Sequence, residues 1–592
     1  MGKKGKKGNT HKNSNRPRPQ NNVRAGADAI KAQVMEEKKA TTNVAKDVTK
    51  PESTAEVKSL DKKATEVKTT KEKSLKRTDK SENKFVSFLK SNIFAAVLTG
   101  VYAVLTIVLL GLILYINVLP VKFFIPICFV MFALCGITFL TAFSKKAIWF
   151  ARIFSVIMTV VCGFGIYYAV HANDAYEDAT GAKTKKDVVN VYVMKADPAD
   201  DLTSAADYTF GILTVLDREN TDKTINEIEK KLGNKIKTES FEGYIQLVEA
   251  LYEGDVDAVI LNTAYIPSIE ENEQYKSFTS LTKILLKSTH ETEITVDNTI
   301  QIDKSPFIVY LSGIDIEGDV STTSRSDVNI LAVVNPETRQ VLLLNTPRDY
   351  YVPLSISNGK KDKLTHAGIY GIDVSMNTLG MLYQVRVDYF FRINFTGFID
   401  IVDALDGINV YSAYDFKSTH WDYPYKKGYN QLNGEEALAF VRERYAFKDG
   451  DNQRGKNQIE AIKAIANEMM SPAILNNFSG LMESISSSFQ TSMSSSQISS
   501  LVRMQLAEGG SWEIYNFSVA GDDAKKPVYS LSQEVYVTIP YEDDVENAKT
   551  LINMVLNGQL LSKDIIDEMN GVVPEDEKNN ETDDDEKSDN AA

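Results

Sequence analysis

Three apolar stretches interrupt an otherwise mixed chain: Ile93 to Val118, Phe123 to Phe143 and Ile148 to Val170. Each reaches the roughly 20 residues that a helix needs to cross a hydrocarbon core. Residues 91–172 therefore read as three transmembrane helices, although the tight Ser144-Lys145-Lys146 turn also suits a re-entrant pair after a first span. Over 183–290 the pattern changes to alternating strand and helix. Strands are expected at Val188 to Val193, Tyr208 to Val215, Ile236 to Thr238 and Ala258 to Leu261, and helices at Asp222 to Leu232 and Tyr244 to Tyr252. This is a small accessory α/β domain, with Glu253, Asp255 and Asp257 around Gly254 marking a helix end rather than a metal loop.

From Ile294 the periodicity predicts a larger domain, 294–562, layered α-β-α with a mixed central sheet. Val328 to Val334 and Val341 to Leu344 are too continuously apolar to have a wet face, so they read as central strands joined by the turn Asn335-Pro336-Glu337-Thr338. Val385 to Phe395 alternates like a strand with unlike faces, and Thr396 to Leu405 reads as a helix stopped by Asp406-Gly407. Asn433-Gly434-Glu435-Glu436 looks like a capping box, and Ile459 to Met469 like an amphipathic helix. The Ser-rich run Ser484 to Ser500 reads as a pair of short helices. Late strands are expected at Trp512 to Val519 and Ser530 to Tyr536, and a closing helix at Asp544 to Leu556. The fold class is α/β throughout.

Composition separates the ends from this core. Residues 1–90 are rich in Lys, Asn, Thr and Ser, and 572–592 are acidic; neither can bury enough apolar surface to offset the entropy of ordering. The net charge of −14 thus averages a basic start and an acidic remainder. The basic run has no aromatic interleaving and no nucleic-acid module, so nucleic acid is not an expected partner. With Lys145, Lys146 and Arg152 on one side of the spans, it places the N-terminus in the cytoplasm and everything after Val170 outside it, in a multi-pass cell-membrane protein. The three cysteines, Cys128, Cys135 and Cys162, all fall in the apolar stretches, so the exported part uses no disulfide.

Charged residues gather where the central strands begin and end. Asp315, Ser324-Arg325-Ser326-Asp327 and Thr346-Pro347-Arg348-Asp349 lie around one hairpin, and Arg442-Glu443-Arg444 and Asp451 to Gln458 about a hundred residues on. Guanidinium forks match phosphate oxygens bidentately, which makes Arg348, Arg442, Arg444 and Arg454 phosphate-binding candidates. Some of them have carboxylates at hand in Asp349, Glu443 and Asp451, so structural ion pairing is the competing explanation. Arg442 and Arg444 point about 200° apart on a helix, so both reach one ligand only if the helix ends near Val441. Asp315 and Asp327 are hard oxygen donors suited to magnesium.

Together with Lys363-Leu364-Thr365-His366-Ala367, Asp388 to Phe395 and Ile401 to Gly407, these residues resemble the signature of the LytR-CpsA-Psr family over roughly Ile294 to Asn557. The resemblance is nearest to capsule-type members with several membrane spans and an accessory domain. It implies a phosphotransferase that moves a glycopolymer, such as capsular polysaccharide or teichoic acid, from undecaprenyl pyrophosphate onto peptidoglycan. Mg2+ or Mn2+ would then be held by Asp315 and Asp327. The pyrophosphate would meet Arg325, Arg348, Arg442, Arg444, Arg454 and Gln458, and Asp451 would be the base. Phe390, Phe395, Phe398 and Ile401 would line a lipid slot. Partners implied are the lipid-linked glycopolymer, peptidoglycan, the membrane and other capsule or wall synthesis proteins. Where many wall-attachment members carry a further arginine before the glutamine, this chain has Asn457, one positive charge fewer. A binding or regulatory membrane protein and a lipid-pyrophosphate hydrolase are the alternatives.

Overall fold

The computed structural model describes residues 91–570, apart from 118, 183, 295–298, 317, 449, 472–480 and 482–484. The tails expected over 1–90 and 572–592 lie outside the described residues.

Helices α1 (Asn92–Ile116), α2 (Val121–Ala142) and α3 (Ile148–Ala179) form from the three apolar stretches, and each is long and apolar enough to cross a membrane. Ser91 caps α1 by accepting from the Phe94 amide, and Asn117, in the left-handed conformation, ends it. Small polar residues let the helices approach: Thr99 meets Ser155 at 3.1 Å between α1 and α3. α3 extends past the expected end at Val170. Beyond it, Gly181 and Ala182 donate to the carbonyls of Met493 and Thr491, tying the connection to the large domain.

The accessory domain contains β1 (Thr184–Met194), β2 (Thr209–Leu213), α4 (Arg218–Leu232), β3 (Lys237–Phe241), α5 (Tyr244–Glu253), β4 (Ala258–Asn262) and β5 (Thr282–Glu293), in sheet order β3-β2-β4-β1-β5. Every expected strand and helix is present. Gly254, at φ +81°, ends α5 as the acidic residues around it suggested. β5 was missed, because its residues Thr282 to Glu293 are mostly polar and one face is wet. One of the two accessory cores includes Ile369, Val528, Leu531 and Val537, so this domain is fused to its neighbour through shared packing.

The large domain is built on a six-stranded sheet. Its leading strands are β6 (Phe307–Ile314), β7 (Ser326–Asn335) and β8 (Gln340–Asn345), followed by a small pair, β9 (Tyr351–Pro353) and β10 (Lys361–Lys363). Helices α6 (Leu364–Tyr370) and α7 (Ile372–Tyr383) lead into β11 (Tyr389–Asn394) and α8 (Phe395–Ala404). A flap of β12 (Ile408–Ser412), β13 (Phe416–Lys417), β14 (Pro424–Tyr425) and β15 (Gly428–Leu432) precedes α9 (Gly434–Arg442) and α10 (Asp451–Met469). Then come β16 (Phe489–Thr491), α11 (Ser495–Glu508), β17 (Glu513–Ser518), the ribbon β18 (Gly521–Val528) and β19 (Leu531–Pro540), and α12 (Glu542–Leu556) and α13 (Lys563–Met569).

The order β16-β11-β6-β7-β8-β17 makes β7 central, antiparallel to β6 and β8, while β11 and β17 join in parallel. On β7, Leu331 and Val333 face one core with α7 and α12, and Ile330 and Ala332 face another with Ile459 of α10. That alternation is the physical basis of the α-β-α layering. Asn335 shapes the β7-β8 turn by accepting from the amides of Glu337 and Thr338.

Three expectations change. Val385 to Asp388 lie outside β11, with Asp388 instead accepting from the Ile308 amide at 2.9 Å. In the Ser-rich run, residue 484 lies outside the described residues, and the rest contains one strand and one helix instead of two helices. Phe489–Thr491 adds to the edge of β11, where the Thr491 and Ser492 hydroxyls bond the Phe390 backbone, and Ser494 then caps α11. Third, the strand expected at Ser530 to Tyr536 is β19, which pairs with β18 and bridges Tyr350 through Thr538, outside the main sheet.

Candidate phosphate-binding site

The site begins with two close backbone approaches. At Gly368 in α6, a Cβ would lie 2.5 Å from the Ser324 carbonyl and 2.8 Å from the Ser326 amide, so only glycine lets α6 rest on the segment that carries Arg325 and leads into β7. Thr365 of the same helix then donates to Asp327 at 3.3 Å. At Gly455 in α10, a Cβ would lie 2.5 Å from the Asn345 side chain, so α10 presses its first turn against the end of β8. The helix begins at Asp451, earlier than its apolar periodicity from Ile459 indicated, and Arg454 and Gln458 sit one turn apart on it.

A separate device delivers Arg442 and Arg444. Asn433 and Glu436 close a complete capping box on α9, and the helix ends at Arg442. Glu443 leaves it in an extended conformation, ψ 130°. Its buried carboxylate accepts from the Thr419 amide and hydroxyl and from the Ala446 amide. Burial pushes the Glu443 carboxyl up, but these backbone donors outweigh it and hold it below the usual range. Glu443 is thus a buckle for the turn rather than a partner of the arginines beside it.

Around the resulting cleft the charges interlock. Arg348 donates to Asp327 at 3.1 Å and lies 3.4 Å from Asp349, which Lys363 approaches to 3.0 Å. Burial opposes the Arg348 charge, yet Asp327, Asp349, Asp451 and Glu271 together hold it protonated above its ordinary value. Burial likewise pushes Asp349 up, and Arg348 and Lys363 pull it below the usual carboxylate range. Arg454 pairs with Asp451 at 2.5 Å. Its own pKa is depressed, mainly by burial and further by Arg348 and Arg444. Arg442 lies 4.0 Å from Asp315, with its guanidinium 4.0 Å from the Phe395 ring and 5.4 Å from that of Trp421. Arg444 stacks on Tyr445 and bonds its hydroxyl.

Asp315 stands just past β6. Its carboxyl is raised first by burial and then by the charge of Asp327, against the pull of Arg442, Arg325 and Arg348. Among the described residues no group of three or more His, Cys, Asp or Glu side chains is arranged to hold a metal. Asp315, whose ionisation is made costlier by the charge of Asp327, nevertheless suits, with it, a cation that keeps its waters and takes further oxygens from a phosphate ligand.

The structure therefore brings Asp315, Arg325, Asp327, Arg348, Arg442, Arg444, Asp451, Arg454 and Gln458 to one place, with Asp327, Arg348, Asp451, Arg454 and Gln458 lining one cleft. Asn457 turns away, buried and directed at the Phe440 carbonyl of α9. The lipid-slot residues do not all meet. Phe390 is fully buried in the α7-α12 core, whereas Phe395, Phe398 and Ile401 pack on the opposite side of the sheet with α9. Successive residues of β11 alternate faces, so Phe390 leaves the proposed set. Lys363 and Glu271 were missed. Lys363 lies inside a quoted motif, but Glu271 belongs to another domain and leaves no local signal.

Residues 273–551 match the model of the LytR_cpsA_psr family. A second model, DNA polymerase processivity factor, matches residues 145–261, a stretch that starts ahead of α3, ends inside β4 and so follows no unit of the fold. The polyisoprenyl-teichoic acid–peptidoglycan teichoic acid transferase TagU of Bacillus licheniformis is 34% identical over 200 residues, 33% of this chain and 63% of that protein. The corresponding transferase TagT of Bacillus subtilis is 34% identical over 201 residues, 32% of this chain and 61% of its own length. The chain thus spans less than two thirds of the length of these relatives. The crystal structure of B. subtilis TagV aligns with a TM-score of 0.38 at 26% identity, covering 43% of this chain and 98% of that one.

Proposed function

We propose that this chain, whose residues 273–551 match the LytR_cpsA_psr family model, is a membrane-anchored phosphotransferase that moves a glycopolymer from a polyprenyl pyrophosphate carrier to peptidoglycan. The observation that carries this is the cluster in which Arg325, Arg348 and Arg442 act on Asp315, Arg348 pairs with Asp327 and Arg454 stands within reach of Asp327, with Arg444 close enough to act on Arg454. A pyrophosphate entering the cleft replaces carboxylates as the arginines' partner, and the exchange is local because each guanidinium is already placed.

In the reaction, the acceptor hydroxyl oxygen bonds to the phosphorus that bears the glycan. The bond from that phosphorus to the bridging oxygen breaks, and polyprenyl phosphate departs with that oxygen. Arg348 and Arg454, both well buried, carry the charge of the equatorial oxygens, while the more exposed Arg442 meets the ligand at the mouth. Asp451 lines the same cleft, half-exposed where an acceptor arrives, and takes the hydroxyl proton. Asp315 and Asp327 would hold Mg2+ or Mn2+, which when bound supplies charge neutralisation to the diphosphate. Phe395, Phe398 and Ile401 supply an apolar wall for the isoprenoid chain.

The three apolar helices make a three-pass anchor. Arg152 near the start of α3 donates to the Ser91 carbonyl at 3.1 Å, so both helices enter from the same side. The lysines at that end mark it as cytoplasmic, which puts the large domain outside. Capsule or teichoic acid is the class of glycopolymer, and other wall-synthesis proteins are its neighbours. The test is transfer by the full chain in detergent from a lipid-linked donor to peptidoglycan fragments. Arg442→Ala is expected to lower transfer about tenfold or more while the protein stays folded. Unchanged transfer, or release of free polymer to water in place of wall-linked product, overturns the assignment.

A further inference from the structure

The accessory domain is bonded directly to the segment that carries part of the phosphate cluster. Lys186 of β1 donates its amide to the Ser321 carbonyl at 3.0 Å and accepts from the Thr323 amide at 2.8 Å, a parallel bridge outside the named sheets. Side chains repeat the connection. Lys186 lies 2.7 Å from Asp319, and the buried Thr323 hydroxyl donates to Asp187 at 2.8 Å. From the main sheet, Arg392 donates to the Thr322 carbonyl at 2.9 Å. The backbone from Asp319 to Arg325 is thus held between the two domains, with α6 wedged against its end at Gly368.

Those contacts fix where Arg325 stands but not where its long side chain points. That is decided by Glu271, at the C-terminal cap of the short helix Ile266–Glu270 that follows β4, which pairs with the Arg325 guanidinium. The Arg325 side chain is only 11% exposed, whereas that of Glu271 is 46% exposed, so the arginine is the buried member and the glutamate reaches in. The same carboxylate also acts on Arg348 across the cleft.

We propose that Glu271 is a positioning residue of the phosphate site: the accessory domain holds the Asp319–Arg325 segment through β1 and aims the Arg325 guanidinium through Glu271. An arginine without such a partner samples many rotamers and loses that freedom on binding; a guanidinium already oriented binds without that loss. Arg325 also lies close enough to Asp315 to favour its ionised form, so its orientation bears on both halves of the site. The accessory domain is then a built-in part of the catalytic unit. This rests on the phosphate-site reading above.

The experiment uses the full chain in detergent and farnesyl pyrophosphate with Mg2+ as the probe, with affinity measured by calorimetry and folding by thermal melting. Glu271→Gln is expected to weaken binding about fivefold, with no matching loss of melting temperature. Arg325→Gln weakens it at least as much, and the double variant binds little worse than Arg325→Gln alone, because Arg325 is the side chain that Glu271 pairs with, and Arg348 keeps Asp327 and Asp349 beside it whether or not Glu271 is charged. Additive losses would mean that the two residues act on the ligand independently, and a loss of melting temperature without a loss of binding would make the pair merely structural; either overturns the proposal. So does Glu271→Gln binding as tightly as or more tightly than the unaltered protein, which would make Glu271 a competitor of the phosphate. Arg442→Ala separates the two levels. If it weakens binding while Glu271→Gln does not, only the positioning role falls; if it has no effect, the phosphate-site reading falls and takes this proposal with it.

Discussion

Two clusters of buried carboxylates lie at sheet ends in this molecule, and their counter-groups differ. In the large domain Asp327 and Asp349 face Arg348, Lys363 and Thr365. In the accessory domain Asp187 and Asp217 are bridged by the amide of Asn262, with Asn220 and Thr323 adding neutral donors. Arg348 and Lys363 hold Asp349 below the usual carboxylate range against its burial. Burial, with the charge of Asp187 added to it, pushes Asp217 up to about 7, and the Asn262 and Asn220 amides and the more distant Lys185 offset only part of that. The lesson concerns exchangeable charge. A cluster balanced by full positive charges can trade its carboxylates for an incoming phosphate; one balanced by dipoles can only take up a proton.

The largest effect should come from breaking the charged cluster. Arg348→Ala leaves Asp327 and Asp349, each under a fifth exposed, without their common partner. It should cost about 3–5 kcal/mol in denaturant unfolding and abolish pyrophosphate binding. A variant as stable as the parent would mean that Lys363 and solvent suffice, and the contrast with the accessory cluster would disappear.

Backbone contact comes next. In Gly368→Ala the new Cβ meets the Ser324 and Ser326 backbone, which can yield only by moving Arg325 and Asp327, so about 1–3 kcal/mol should be lost and pyrophosphate binding weakened with it. Gly211→Ala in β2 instead meets only side chains, Leu247 at 2.7 Å, Val256 at 3.2 Å and Phe241 at 3.3 Å, which can shift without moving a site residue. It too should cost about 1–3 kcal/mol, but should leave pyrophosphate binding alone. Equal losses of binding in the two variants would show that the catalytic segment is not specially constrained.

The smallest effect, taken over one pH unit about neutrality, is the proton held by the accessory cluster. Since the folded pKa of Asp217 lies above its unfolded value, the native state binds more protons between them, and stability falls as pH rises from about 4 through 7. Across the unit from pH 6.5 to 7.5 the loss is under about 1.4 kcal/mol. The carboxyl carbon of Asp217 should titrate by NMR with a midpoint near 7. A midpoint below 5 would make the two clusters electrostatically alike.

Local pattern alone determined the elements whose residues repeat with one period. The three apolar helices, the β7-β8 hairpin with its Asn335 turn and the Asn433 capping box follow from side chains within a few positions of each other, where steric and hydrogen-bonding preferences act without help. The arginines and aspartates of the site were legible as residue types near strand ends and as a family-like set. Tertiary structure decided the rest. Phe489-Gln490-Thr491 is too short a run among serines to announce a strand, which forms because β11 presents an open edge. The placement of Phe390 on the wrong face for the lipid slot depends on which helices cover each side of β11. The approach of Glu271 to Arg325 joins residues far apart in the chain whose meeting is set by the shared core of two domains. Short-range periodicity records what a side chain does to its neighbours, whereas ion pairing across domains depends on the sum of all the packing between them, which no single stretch encodes.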